Sequence, residues 1–179
     1  MNTGMEKIQK SSNAALIVAR ICKIFCTVAA SFVFVVGILL IGPLNDGLNE
    51  EIAKALQAGE TMPEFDDMGM LLGVGSQLAS LTDNYVTALG LYLIAVGVSL
   101  AVLAVLMHFV GKVFQDIKEG YSPFRQSVIK NMKIAFVIIT LLSLNNSLLI
   151  GALIGFSLWC AIYIFEYGCE LQKQSDETL

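Results

Sequence analysis

Four cysteines and one histidine are the residues of this chain whose chemistry could go beyond packing. Cys22 and Cys26 stand four apart, which puts both thiols on one face of a helix. Cys160 and Cys169 lie far along the chain. Thiolates ligate metals and act as redox nucleophiles, so a metal site or a redox switch is the chemistry to weigh. Zinc ligands, however, come in tighter pairs, and no histidine is near these cysteines in sequence. They read as small apolar packing residues. His108 stands alone, and neither G-x-S-x-G nor H-E-x-x-H occurs to give it a catalytic setting. It reads as a histidine at a helix end. The glycine-rich run Gly69–Gly75 lacks the Lys-Ser/Thr of a phosphate-binding loop. No enzyme, cofactor or metal site is expected.

The elements that carry these residues are apolar and long. Ile24 to Leu44 contains no charged residue, Tyr85 to Val110 is a second such run, and a third block fills Ile134 to Phe165. A helix rises ~1.5 Å per residue, so crossing the hydrocarbon core takes about 20 residues. Apolar residues make up 56% of the chain and charged ones 15%, with a mean hydropathy of +0.72. That balance excludes an ordinary soluble domain. The 179 residues suffice for one helical bundle without a second large domain. The first run is longer than the ~7–15 residues of a secretory h-region and has no small-x-small site before Pro43. It reads as a retained span.

Charge sorts the segments by side. Lys7, Lys10, Arg20 and Lys23 precede the first run, against Glu6 alone. Residues 45–84 hold only Lys54 against eight acids, Asp46, Glu50, Glu51, Glu60, Glu64, Asp66, Asp67 and Asp83. The stretch from Gly111 to Lys133 returns to basic, with Lys112, Lys118, Arg125, Lys130 and Lys133 against Asp116 and Glu119. Lys and Arg resist translocation and collect in cytoplasmic loops. The N-terminus and the second connection are therefore expected inside, and the acidic loop outside. No basic nucleic-acid surface is visible, and direct nucleic-acid binding is not expected.

The third block is too long for one ordinary span and short for two. Asn145, Asn146 and Ser147 lie near its middle, where turn-forming polar residues fit better than in hydrocarbon. A turn there gives two spans and a cytoplasmic C-terminus; a single tilted helix would leave the tail outside. The residues favour the turn. The resulting expectation is an all-α membrane protein of four transmembrane helices in a bundle, with both termini cytoplasmic and one large acidic extracytoplasmic loop. The approximate spans are 20–43, 85–110, 131–145 and 148–167.

The connections carry local signals. Asp46-Gly47 marks a turn, and Leu48, Ile52, Ala55 and Leu56 then recur at helical spacing, predicting a short amphipathic helix ending near Gly59. A linker containing Pro63 follows, and Met68 to Leu81 reads as an apolar segment that lies on the outer interface or folds back over the bundle, with packing on the membrane surface favoured over a lid or an extracellular ligand surface. On the inner side, Gly120 stands where a helix C-cap belongs. Ser122 offers an N-cap and Pro123 a first helical position. Phe124, Val128 and Met132 continue at i, i+4, i+8. A tight helical hairpin over 111–130 is expected, with Gly168 ending the fourth helix and a polar tail over 168–179. Gly97-x-x-x-Ala101 and Gly151-x-x-x-Gly155 permit close helix approach, within the bundle or in a homo-oligomer.

Two stretches carry a resemblance. One is Phe114-Gln-Asp-Ile117-Lys-Glu-Gly120-Tyr-Ser-Pro123-Phe124 with its basic helix; the other is Ile164-Phe165-Glu166-Tyr167-Gly168-Cys-Glu170-Leu171-Gln172, followed by Gln174 to Thr178. Together they resemble the bacterial membrane family catalogued as domain-of-unknown-function family 2975. The resemblance implies four membrane helices, cytoplasmic ends and residence in the bacterial cytoplasmic membrane. Genes of that family commonly lie beside one for a small helix-turn-helix regulator, which implies such a partner. The expected function is thus regulatory binding of a small cytoplasmic DNA-binding protein. Its candidate contact residues are Gly120, Pro123, Phe124, Arg125, Lys130, Glu166 and Glu170. Opposite charges, Glu166 and Glu170 against Arg125 and Lys130, predict contact between the tail and the hairpin. The alternative is a small permease or accessory subunit that exports or resists a membrane-active compound. The shortage of polar groups within the spans weighs against it.

Overall fold

A computed structural model describes residues 3–59, 77–78, 80–120 and 123–177. Among them are five helices: α1 (Thr3–Ile41), α2 (Asn45–Gln57), α3 (Tyr85–Gly120), α4 (Gln126–Asn146) and α5 (Leu148–Glu177). All but α2 are long and apolar enough to cross a membrane. The turn at the middle of the third apolar block is present. Ser147 is extended, with φ −157° and ψ 128°, and separates α4 from α5. The Pro63 linker and most of Met68–Leu81 lie outside the described residues.

The chain forms two compact units, residues 1–25 with 103–179, and residues 26–102. In the larger unit, the first part of α1 runs antiparallel to the last part of α3. Ser12 Oγ donates to the Phe114 carbonyl at 2.7 Å, Lys118 Nζ donates to Asn13 Oδ1 at 2.9 Å, and Leu16 and Ala19 meet Gly111. Asn131 Nδ2 donates to Asp116 Oδ2 at 3.0 Å and ties α4 to α3. The α4–α5 hairpin is antiparallel as well. A side chain at Gly151 would collide with the Leu144 backbone, and one at Gly155 with Thr140. These two glycines serve packing within the hairpin. Val128, Ile129, Met132, Ala135 and Ile162 are buried.

In the smaller unit, the remainder of α1 meets the start of α3 backbone to backbone. A Cβ at Gly37 would lie 2.9 Å from the Gly90 carbonyl oxygen, and one at Gly90 lies 3.0 Å from that of Gly37. Gly97 faces the Phe34 ring. Small residues thus bring these helices close, as lipid-embedded helices need, since the hydrophobic effect does not drive them together in lipid. Ala30, Ala88 and Ala95 are buried beside them.

The outer faces are apolar. Ile17, Ile21, Ile24, Val28, Phe32 and Val35 form an exposed stripe along α1, with Phe32 68% accessible; Phe156 on α5 is 72% accessible. In water each such side chain would forgo ~1.5–3 kcal/mol of burial. Hydrocarbon removes that cost, which is why membrane helices carry such stripes.

Three local expectations are corrected. Asp46 and Gly47 lie inside α2, which begins at Asn45 directly after a turn at residues 42–44 rather than after one at Asp46-Gly47. Hydrogen bonds made by the Asn45 amide hold that helix start in place. Helix α4 begins at Gln126 rather than Pro123, and Arg125 stands extended at its N-cap, with φ −130° and ψ 145°. Helix α5 does not end at Gly168 but continues to Glu177. The reason for the last two lies in the contacts of Phe124 and Arg125, described next.

Candidate functional site

The residues predicted for partner contact gather at one end of the larger unit. Gly120 closes α3, and the Arg125 side chain folds back over it, where a Cβ at 120 would collide. Pro123 is half-buried, and residues 123–125 are not helical. Phe124 turns the other way. Its ring lies against Gly168 and stands 5.8 Å from the Phe165 ring, tilted by 41°. These two side-chain placements keep residues 124 and 125 out of the helix. They also explain the glycine in the middle of α5. It makes room for an aromatic ring, a use that offsets the ~1 kcal/mol by which glycine weakens a helix.

The charged members arrange differently from expectation. Lys133, not Arg125 or Lys130, is the base at Glu166, with Nζ 2.6 Å from Oε1. The antiparallel register that sets Leu144 by Gly151 and Thr140 by Gly155 brings residue 133 to residue 166. Both partners are partly exposed, at 48% and 34%. An ion pair this open contributes on the order of 0–1 kcal/mol. Lys130 and Glu170 are exposed, each on its own helix. The predicted convergence of link and tail is present, carried by Phe124 on Gly168 rather than by charge.

The remaining candidates are dispersed. Cys22, Cys26, Cys160 and Cys169 are free thiols, and Cys160 is exposed on α5. Among the described residues, no three His, Cys, Asp or Glu side chains gather to hold a metal. His108 meets Lys23, whose Nζ stands 3.3 Å from the imidazole Nδ1. An apolar cavity of about 640 Å³ lies along the α4–α5 hairpin, walled by Phe136, Leu141, Phe156 and Trp159, with Lys133 in its lining.

One polar cluster escaped the sequence reading. In the smaller unit, Asn45 Nδ2 donates to the Leu40 carbonyl at 3.0 Å and to Thr87 Oγ1 at 2.9 Å. Its Oδ1 accepts from Asn49 Nδ2 at 2.8 Å and from Asn84 Nδ2 at 3.3 Å. Every hydrogen-bonding position of that amide is used. Asn84 also caps α3, its Oδ1 accepting from the Thr87 N–H at 3.0 Å. The available signal was an asparagine placed just past one apolar run and another just before the next.

Among the described residues, five helices, four of them fit to cross a bilayer, and outward apolar stripes define a multi-pass helical membrane protein. No protein-family model matches the chain, and no curated protein or solved structure matches it.

Proposed function

We propose that the protein is a regulatory binding protein of the bacterial cytoplasmic membrane that holds a small cytoplasmic regulator of the helix-turn-helix kind. In this reading both termini and the α3–α4 link are cytoplasmic, and α2 belongs to the acidic outer loop. The basic residues before α1 and around the link support that orientation. The observation that carries the reading is Phe124 against Gly168. It supports a single contact surface built from the link and the last part of α5, with Lys130 and Glu170 exposed around it. The class of partner comes from the family resemblance.

The test is affinity capture of the tagged protein from gently solubilised native membranes, with mass spectrometry of what accompanies it. A helix-turn-helix protein retained by the wild type and lost from Phe124→Ala or Arg125→Ala, with membrane insertion unchanged, is the expected result. Capture that survives both changes removes the link from the proposal.

The α4–α5 cavity favours a second reading, as a small permease or accessory subunit for a membrane-active compound. Flux or resistance that persists in the Phe124 variant would point there instead.

A further inference from the structure

We propose that Arg20, Lys23, Lys112 and His108 form a binding site for the phosphate group of an anionic membrane lipid. The four residues, with Gln115, line one pocket of about 230 Å³ between α1 and α3 in the larger unit. Its apolar wall is Leu16, Ala19, Met107 and Gly111. The site stands on α1 and α3 and is separate from the partner surface proposed above.

Charge is the first argument. Three permanent cations and an imidazole meet in a small space, and no carboxylate is among the lining residues. The acids on the neighbouring turns of α3 have their own hydrogen bonds: Glu119 accepts from the lining residue Gln115 at 2.9 Å, and Asp116 accepts from Asn131 on α4 at 3.0 Å. Arg20 is exposed and makes no ion pair or side-chain hydrogen bond among the described residues. Lys112 lies 5.7 Å from the centre of the Phe109 ring, a contact that holds the ammonium without neutralising it. Cations brought close together repel one another, and a bound anion turns that repulsion into attraction.

The hydrogen-bond chemistry has the same polarity. A lysine ammonium can only donate, so Lys23 at 3.3 Å makes Nδ1 of His108 the acceptor. The ring proton then sits on Nε2, and the imidazole presents a second donor. Ammonium, guanidinium and imidazole N–H groups together match phosphate oxygens, and the arginine fork suits two of them at once.

Depth selects the source of the phosphate. On α1 the charged residues stop at Lys23, and the uncharged apolar run starts at Ile24; on α3 the run ends at Val110, just before Lys112. Both helices change from apolar to basic at the level of this pocket. In a bilayer that level is the headgroup boundary, where basic pockets between membrane helices take anionic headgroups. Met107, on the hydrocarbon side of these charges, offers apolar contact for the glycerol and the first acyl carbons.

The test is native mass spectrometry of the whole protein released from phosphatidylcholine vesicles containing phosphatidylglycerol. A parallel sample in pure phosphatidylcholine receives millimolar inorganic phosphate. The wild type is expected to retain phosphatidylglycerol over phosphatidylcholine. Arg20→Gln combined with Lys112→Gln should lower that retention by roughly tenfold or more, because each basic side chain near a charged headgroup contributes about one power-of-ten step or less. Lys54→Gln, an exposed base on α2 outside the pocket, should leave it unchanged. Circular dichroism checks that the double variant keeps its helices, and Arg20→Gln alone replaces it if it does not. Equal retention by the pocket variants overturns the site. Retention of inorganic phosphate that depends on Arg20 and Lys112, without preference for phosphatidylglycerol, overturns the lipid assignment in favour of a soluble anion.

Discussion

The Phe124 ring occupies the space that a side chain at Gly168 would need, so the α3–α4 link and the last part of α5 are packed as lock and stop. Alanine at 168 would favour the helix by about 1 kcal/mol and oppose the ring by about 1–3 kcal/mol. Gly168→Ala should therefore lower thermal stability in detergent. Combined with Phe124→Ala it should become neutral or stabilising. A penalty for Gly168→Ala that is the same with and without the ring would mean that the two residues do not couple.

Gly90 and Gly47 make a matched contrast. Gly90 faces the backbone of α1 and the Ile41 side chain, whereas nothing lies within 4 Å of a Cβ at Gly47, which sits inside α2. Gly90→Ala is expected to cost about 1–3 kcal/mol by overpacking. Gly47→Ala should add about 0.5–1 kcal/mol through helix propensity. Unfolding of the two variants side by side in the same detergent checks both signs at once.

Asn45 should be the most sensitive polar residue of the smaller unit. Replacing it with alanine leaves Thr87, Asn49 and Asn84 short of a partner, at a cost of about 1–3 kcal/mol. Asn49→Ala removes a single bond of the cluster and should cost about 0.5–1.5 kcal/mol. Hydrogen exchange at the start of α3 offers the sharper readout, because it follows the Asn84 cap directly. If Asn45→Ala leaves that exchange untouched, the cluster does not support the cap.

The pair Lys133–Glu166 is half open to its surroundings, so its separate contribution should stay within about 0–1 kcal/mol. A double-mutant cycle with Lys133→Met and Glu166→Gln measures it. A coupling of several kcal/mol would show that the pair is shielded from water in the membrane-embedded protein.

Much of the architecture was legible in order. Uncharged runs set the membrane-crossing helices, because hydrocarbon accepts only backbone that satisfies its own hydrogen bonds. The polar Asn145–Ser147 stretch marked the break between α4 and α5, and the apolar spacing of Leu48, Ile52 and Leu56 marked α2. These signals are local: each depends on residues a few positions apart.

What only the tertiary structure decided was which distant residues meet. Gly168 reads as a helix stop until the Phe124 ring is seen beside it. Glu166 has several bases to choose from until the α4–α5 register sets Lys133 opposite. Lys23 and His108, 85 positions apart, become one site only because α1 and α3 pack antiparallel with small residues between them. Hydropathy records how much each helix prefers lipid and nothing about its neighbour. Neighbours are chosen by shape, by the glycines that permit contact and by the few polar groups that must find partners.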